Sequence, residues 1–278
     1  MRLVRFKEGR HERLGIVVDE NVIDISQSFK SIEELIARAS QEQKSIEEIL
    51  EPVVNSLARP RIIKYKELDV KPDSSKYLLI PVNPSEVWGF GRTYDEEKGR
   101  PFVFFKTTSI RCKGPNDVLY IRSDSKNTIP EPELAVVLGF NGELIGYTIG
   151  NDLTAIDIGA NRLYVSYAKT FNGCCSIGPC LVTKDEIKNP YSLKVYLRVL
   201  RNSKLVFSGE TSTSKMKRRI DELLYWLMKD NVLPPLTICL TGTGILPPKD
   251  FTLKHGDLVE LEIEKIGVLR NYITKIQQ

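Results

Sequence analysis

An α+β fold dominated by β-strands is predicted for this chain of 278 residues, with a small N-terminal α+β domain over 1–76 and a larger, mainly β domain over 77–278. Three observations predict it. Short runs rich in β-branched and aromatic residues recur along most of the sequence. Two helix-start signatures are confined to the N-terminal part. Between the two parts, Pro60, Pro72 and the polar stretch Lys71 to Lys76 mark a boundary.

The first segment reads as short strands over Leu3 to Phe6, Leu14 to Val18 and Val22 to Ile25, the last two joined by an Asp19-Glu20-Asn21 turn. Ser31-Ile-Glu-Glu34 and Ser45-Ile-Glu-Glu48 then place a hydroxyl three residues before a Glu that can bond back to it. Ile32, Leu35, Ile36 and Ala39 recur at helical spacing behind the first of these. From Tyr77 onward the runs Tyr77 to Pro81, Val87 to Phe90, Val103 to Phe105 and Val118 to Ile121 predict strands. Leu134 to Phe140 enters Asn141-Gly142, a hairpin turn signal, and Leu144 to Ile149 returns. Leu193 to Leu200 alternates, with Leu193, Val195, Leu197 and Val199 on one face. One helix is predicted from about Ser214 to Met228, and the final strands over Leu258 to Ile263 and Tyr272 to Ile276. This is not a succession of βαβ units.

Hydrophobic residues make up 41% and charged residues 27%, as in an ordinary globular protein, and the net charge of +4 is dispersed. The densest basic run, Lys215 to Arg219, reads as a solvated helix face, so no nucleic-acid partner is expected. No apolar stretch approaches the roughly 20 residues of a membrane span, and the N-terminal run lacks a signal peptide's apolar region. The five cysteines, with Cys174 and Cys175 adjacent, do not form a disulfide framework or a zinc ribbon, which fits a reducing cytoplasm. The two histidines, His11 and His255, both lie in turn-like contexts, which disfavours a Cys–His enzyme.

The stretch that carries chemistry is Ile129-Pro-Glu-Pro-Glu-Leu-Ala-Val-Val-Leu138. Glu131 and Glu133 are two apart, so an extended backbone points both side chains to one face, just before an apolar strand. Two carboxylates carried towards the interior repel each other unless one protonates or a cation sits between them. Beyond the hairpin, Asp152 can supply a third. Oxygen-only ligands favour a hard divalent cation, Mg2+ first and Mn2+ or Ca2+ next, over zinc. Three carboxylates leave about three octahedral positions for a ligand chelating through two oxygens and for water. Taken alone, the same pattern also fits an ordinary acidic turn before a strand.

Further segments turn this pattern into a resemblance. Glu131-Pro-Glu133, Gly146-Tyr147-Thr148 and Asn151-Asp152 resemble the ExE…GYT…ND signature of the fumarylacetoacetate hydrolase superfamily. Gly91-Arg-Thr-Tyr94 is similar to its G-x-N-Y element and Phe104-Phe105-Lys106 to its F-x-K strand. Ala168-Lys169-Thr170-Phe171, Thr241-Gly-Thr-Gly244 and the run from Leu253 to Leu269 follow in the family's order, so the resemblance covers about residues 79–278. Arg122-Ser-Asp-Ser125, Gly173-Cys-Cys175 and Ile187-Lys-Asn-Pro-Tyr-Ser-Leu193 look most like the archaeal 2-keto-3-deoxy-arabinonate dehydratases within it.

The resemblance implies a β-rich roll assembled as a homodimer or homotetramer. It also implies a metal-dependent hydro-lyase acting on a 2-oxo acid, specifically a 2-keto-3-deoxy sugar acid. Glu131, Glu133 and Asp152 would be its metal ligands and Lys169 its active-site ammonium, with Arg92, Thr93 and Thr243 in contact with substrate. For Lys169 and Thr243 the ordinary alternatives are a surface lysine and a turn threonine. Glu97 stands where most members carry a loop histidine and is the candidate base, although with Asp95 and Glu96 it also fits a solvated acidic loop. Two further departures are a short loop from Thr93 to Pro101 and Ile156 in the place of an arginine. Acylpyruvate hydrolysis, oxaloacetate decarboxylation and 2-oxo acid binding with weakened turnover are the alternative activities within the family.

Overall fold

The computed structural model describes residues 1–96 and 99–276, with the backbone alone of Arg162. Most of the strands belong to two sheets. The larger, of twelve strands, runs in the order Ile62–Lys64, Asn21–Asp24, His11–Val18, Arg2–Glu8, Cys175–Thr183, Leu144–Asp152, Pro132–Leu138, Ile238–Leu240, Val87–Gly91 and Phe102–Thr107, with Lys76–Leu78 and Cys112–Lys113 pairing off this path. The five-stranded sheet runs Lys204–Ser212, Lys194–Arg201, Leu258–Ile263, Gly267–Lys275 and Val118–Ile121. Ile149, Ile177, Leu197, Leu261 and Leu269 belong to one buried apolar cluster that spans both sheets. In Lys194–Arg201 the buried side chains are Val195, Leu197 and Val199, so the alternation read from the sequence is the packing face.

The N-terminal strands join this architecture through the backbone, since Arg2 and Leu3 pair antiparallel with Val182 and Leu181. The boundary expected after residue 76 falls within the strand Lys76–Leu78, which pairs with Arg2–Glu8. Both N-terminal helices start where the Ser-x-x-Glu pattern places them, at Ile32 and Ile46. Only the second box closes fully. Glu48 accepts from the Ser45 N–H at 2.7 Å, whereas Glu34 reaches past Ser31 to the Lys30 N–H at 2.8 Å.

Three features differ from the sequence reading. Cys175–Thr183, a central strand, was not expected: all nine of its residues are buried, so no alternation marks it, and Gly178-Pro179 reads as a breaker. Lys204–Ser212 and Ile238–Leu240 are likewise additional strands. The helix predicted from about Ser214 spans only Ile220–Met228. Lys215 to Arg219 is therefore not a solvated helix face. Arg218 is buried, donates to the Gly99 carbonyl at 2.8 Å and pairs with Glu222. All five cysteines are unpaired and buried. No helix among the described residues is long and apolar enough to cross a membrane.

Removing the Ser45 hydroxyl from its closed box should cost about 1 kcal/mol of stability. Urea unfolding of Ser45→Ala should show this as a lowered midpoint with an unchanged slope. An unchanged midpoint would mean that the cap contributes nothing to the folded state.

Candidate metal centre

The central hairpin assembles the acidic residues. Glu131 immediately precedes and Glu133 lies within the strand Pro132–Leu138, while Asp152 closes Leu144–Asp152. The register sets Pro132 opposite Asn151 and Glu133 opposite Gly150. The ladder continues as the Asp152 N–H donates to the Glu131 carbonyl at 3.0 Å, and the Glu131 N–H donates to Asn151 Oδ1 at 3.2 Å. Carboxylate oxygens of Glu131, Glu133 and Asp152 lie within 4.8 Å of one another and can hold a metal ion.

Two lysines face this cluster. Lys169, at the end of the short helix Val165–Lys169, places its Nζ 2.5 Å from Glu131 Oε2 and 2.5 Å from Asp152 Oδ2. It also donates to the Thr154 hydroxyl at 2.7 Å. Lys106, fully buried on Phe102–Thr107, sits 2.6 Å from Asp152 Oδ1 and donates to the Leu153 carbonyl at 2.9 Å. Its approach to Oδ1 is a close ion pair without hydrogen-bond geometry, which leaves that oxygen with no hydrogen-bond donor. Burial alone would raise the Asp152 carboxyl, yet Lys106 and Lys169 together hold it below the usual carboxylate range. Burial works against the Lys169 ammonium, but Asp152, Glu131 and Glu133 keep it charged and raise its pKa.

Glu133 is the member left over. Burial and the charges of Asp152 and Glu131 push its carboxyl well above the usual range. Among the described residues no cation pairs with it, and its hydrogen bond comes from the Gly242 N–H. Three carboxylates against two ammonium groups leave one negative charge without a partner in a buried site. That imbalance and an all-oxygen donor set fit a hard divalent cation.

The turn that delivers the Gly242 N–H depends on a glycine. Gly242 has φ +92°, and a Cβ there would lie 2.1 Å from Thr93 Oγ1 and 3.0 Å from the Phe90 carbonyl oxygen. Thr93, expected to touch substrate, ties this turn. Its side chain is buried and donates to the Thr241 carbonyl at 2.7 Å, which ties the start of the glycine turn. Its own carbonyl accepts from the Lys217 N–H at 2.8 Å, so the short loop is fastened to the segment before the helix Ile220–Met228.

The carboxylates and Lys169 form one end of a cavity of about 320 Å³ that Arg92, Tyr94 and Thr243 also line. Arg92 is held by Asp95 at 3.0 Å, and the Thr243 hydroxyl exchanges hydrogen bonds with the backbone of Ile245 at 3.2 Å. Glu97 lies outside the described residues. Lys106 was quoted in a motif but given no role from the sequence. The signal was a lysine inside the apolar run Phe102-Val-Phe-Phe, where only a buried counter-charge makes it tolerable.

Residues 85–274 match the fumarylacetoacetate (FAA) hydrolase C-terminal family. The chain is 36% identical to the 2-dehydro-3-deoxy-D-arabinonate dehydratase of Saccharolobus solfataricus, over 99% of this chain and 98% of that protein. It is 37% identical to a probable 2-keto-3-deoxyxylonate dehydratase of Haloferax volcanii, over 76% of this chain and 80% of that one. The solved structure of a 2-keto-3-deoxy-D-arabinonate dehydratase complexed with magnesium and 2,5-dioxopentanoate superimposes with a TM-score of 0.86 at 35% identity, over all of both chains.

Thr93→Val should cost about 1–3 kcal/mol by leaving the Thr241 carbonyl without its donor. It should also weaken Mg2+ binding, read by calorimetric titration, because Glu133 loses a fixed turn, whereas Thr93→Ser should restore both. Normal Mg2+ affinity in Thr93→Val would separate the turn from the metal centre.

Proposed function

The chain belongs to the fumarylacetoacetate hydrolase family, and from that premise we propose that it is a metal-dependent dehydratase of a 2-keto-3-deoxy sugar acid such as 2-keto-3-deoxy-arabinonate. The observation that carries this reading is the triad of buried carboxylates beside Lys169, in a chain similar to a dehydratase from end to end.

Glu131, Glu133 and Asp152 would hold the cation, Mg2+ by preference, and when bound it supplies Lewis acidity to a carbonyl oxygen. Loss of water takes a proton from C3, so that negative charge develops on the 2-oxo oxygen, and breaks the C4–O bond, the hydroxyl leaving as water with a proton. The resulting 5-hydroxy-2-oxo-3-enoate reaches 2,5-dioxopentanoate by tautomerisation, its C5 carbinol becoming the aldehyde as protons return to C3 and C4. We assign Lys169 to stabilise the charge on the 2-oxo oxygen, since its ammonium lies at the carboxylates that would hold the cation. Thr154 keeps the lysine in place. Arg92 and Thr243 line the cavity and are assigned to the substrate, and Thr93 is assigned to positioning through the glycine turn. Glu97 remains the proposed base. The loop that carries it is anchored on both sides, through Thr93 and through the Gly99 carbonyl. We further propose that residues 1–76 form a small N-terminal domain beside the catalytic part 77–278. The enzyme is also proposed to act in the cytoplasm as a homodimer or homotetramer, a reading that the exposed apolar side chains of Leu163, Tyr164 and Tyr167 support.

The test is incubation with 2-keto-3-deoxy-arabinonate and Mg2+, following 2,5-dioxopentanoate, with light scattering on the same preparation. Turnover by a species larger than a monomer is expected, and it should stop on chelation. Lys169→Met should lower kcat by about 100- to 1,000-fold. Glu97→Gln should lower kcat by about 100-fold or more with little change in binding. No water loss with either Mg2+ or Mn2+ would overturn the dehydratase reading, and a clean monomer would overturn the assembly.

A further inference from the structure

Part of the cavity's wall is apolar. The Phe104 ring lies against the active-site ammonium, with Lys169 Nζ 5.0 Å from its centroid. Phe102 lies beside it, its ring centroid 5.8 Å from that of Phe104. Ile156, Val165 and Leu246 line the same cavity. Phe104 is 7% exposed, Phe102 41% and Leu246 63%. A ligand whose oxygens sit at the carboxylates therefore has aromatic and aliphatic side chains in the same cavity for its tail to meet.

The charges lining the cavity point the same way. Among the described residues two cations line it, Lys169 and Arg92, and each already faces a carboxylate, Lys169 against Glu131 and Asp152 and Arg92 against Asp95. With Lys106, the two buried ammonium groups leave the three carboxylates one negative charge in excess. A divalent cation turns that excess into one positive charge, and the head carboxylate of a 2-oxo acid matches it. Among the described lining residues, a second carboxylate on the ligand meets no cation beyond Arg92, which Asp95 already engages, and it loses hydration against the apolar side chains.

We propose that the wall of Phe102, Phe104, Ile156, Val165 and Leu246 selects 2-oxo monocarboxylates with an uncharged tail and rejects dicarboxylates of the same length. The proposal rests on the reading of this site as a metal-dependent 2-oxo acid site, and it adds the feature of the acid that the protein discriminates.

The test compares two ligands that differ only at the far end, 2-oxopentanoate, which ends in a methyl group, and 2-oxoglutarate, which ends in a carboxylate. Binding of each to the Mg2+-loaded protein is measured by calorimetric titration and by thermal shift. 2-Oxopentanoate is expected to bind about tenfold or more tightly than 2-oxoglutarate. Ile156→Lys places an ammonium on the wall at a position 39% exposed, and it should narrow or reverse that ratio by raising 2-oxoglutarate affinity about tenfold. Leu246→Lys, at a more exposed residue, repeats the test at a second position. Equal or tighter binding of 2-oxoglutarate by the unmodified protein would overturn the selectivity while leaving the metal site standing. A ratio unmoved by both lysine variants would overturn the role of the wall. Failure of both ligands to bind in the presence of Mg2+ would overturn the 2-oxo acid reading on which the proposal rests.

Discussion

The active end of this protein is organised by an unbalanced buried charge. Three carboxylates meet at the open end of the central hairpin, and two lysines reach them from separate segments, so one negative charge remains without a partner. A buried charge of this kind is expensive unless a cation arrives or a proton is taken up. Neighbouring structure follows from that constraint. Lys106 must enter an apolar strand, Lys169 must end a short helix at the carboxylates, and the 241–244 turn must bring a backbone N–H to Glu133.

The larger sheet makes those demands compatible. Pro132–Leu138 and Leu144–Asp152 are central strands, buried along nearly their whole length, so their ends are fixed by neighbours on both sides. Ile238–Leu240 pairs with Pro132–Leu138 on one side, which carries Thr241 and Gly242 directly to the acidic end. It pairs in parallel with Val87–Gly91 on the other, which brings Thr93 under the same turn. The ligands thus stand on strand ends and the adjusting groups on short connections, a division that gives a site both precision and access.

Much of this was legible in the sequence, for physical reasons that differ from residue to residue. Asn141-Gly142 specifies a tight turn, the turn specifies an antiparallel return, and the return places Asp152 beside Glu131. The Ser45 box and the alternation of Val195, Leu197 and Val199 are local codes that tertiary contacts did not override. Cys175–Thr183 was illegible because a strand covered on both faces has no period to read. Arg218 was misread because a basic run says nothing about which of its members turns inward to a carbonyl. The contact of the Thr93 hydroxyl with the Thr241 carbonyl was illegible, because it joins residues far apart in the sequence. Lys106 was hidden because its counter-charge, Asp152, lies on another strand.

The same constraint accounts for the chemistry proposed. Lys169 bridges Glu131 and Asp152, so its ammonium marks where positive charge is wanted, and a divalent cation would compete for the same oxygens. Glu133, which the lysine does not reach, is what the cation gains that the lysine lacks. The most direct measurement is an anomalous difference map from crystals grown with Mn2+. The account predicts one strong peak within coordination distance of Glu131, Glu133 and Asp152, with Lys169 moved off at least one of its two carboxylates. Lys169 still bridging Glu131 and Asp152, with no peak at Glu133, would contradict it.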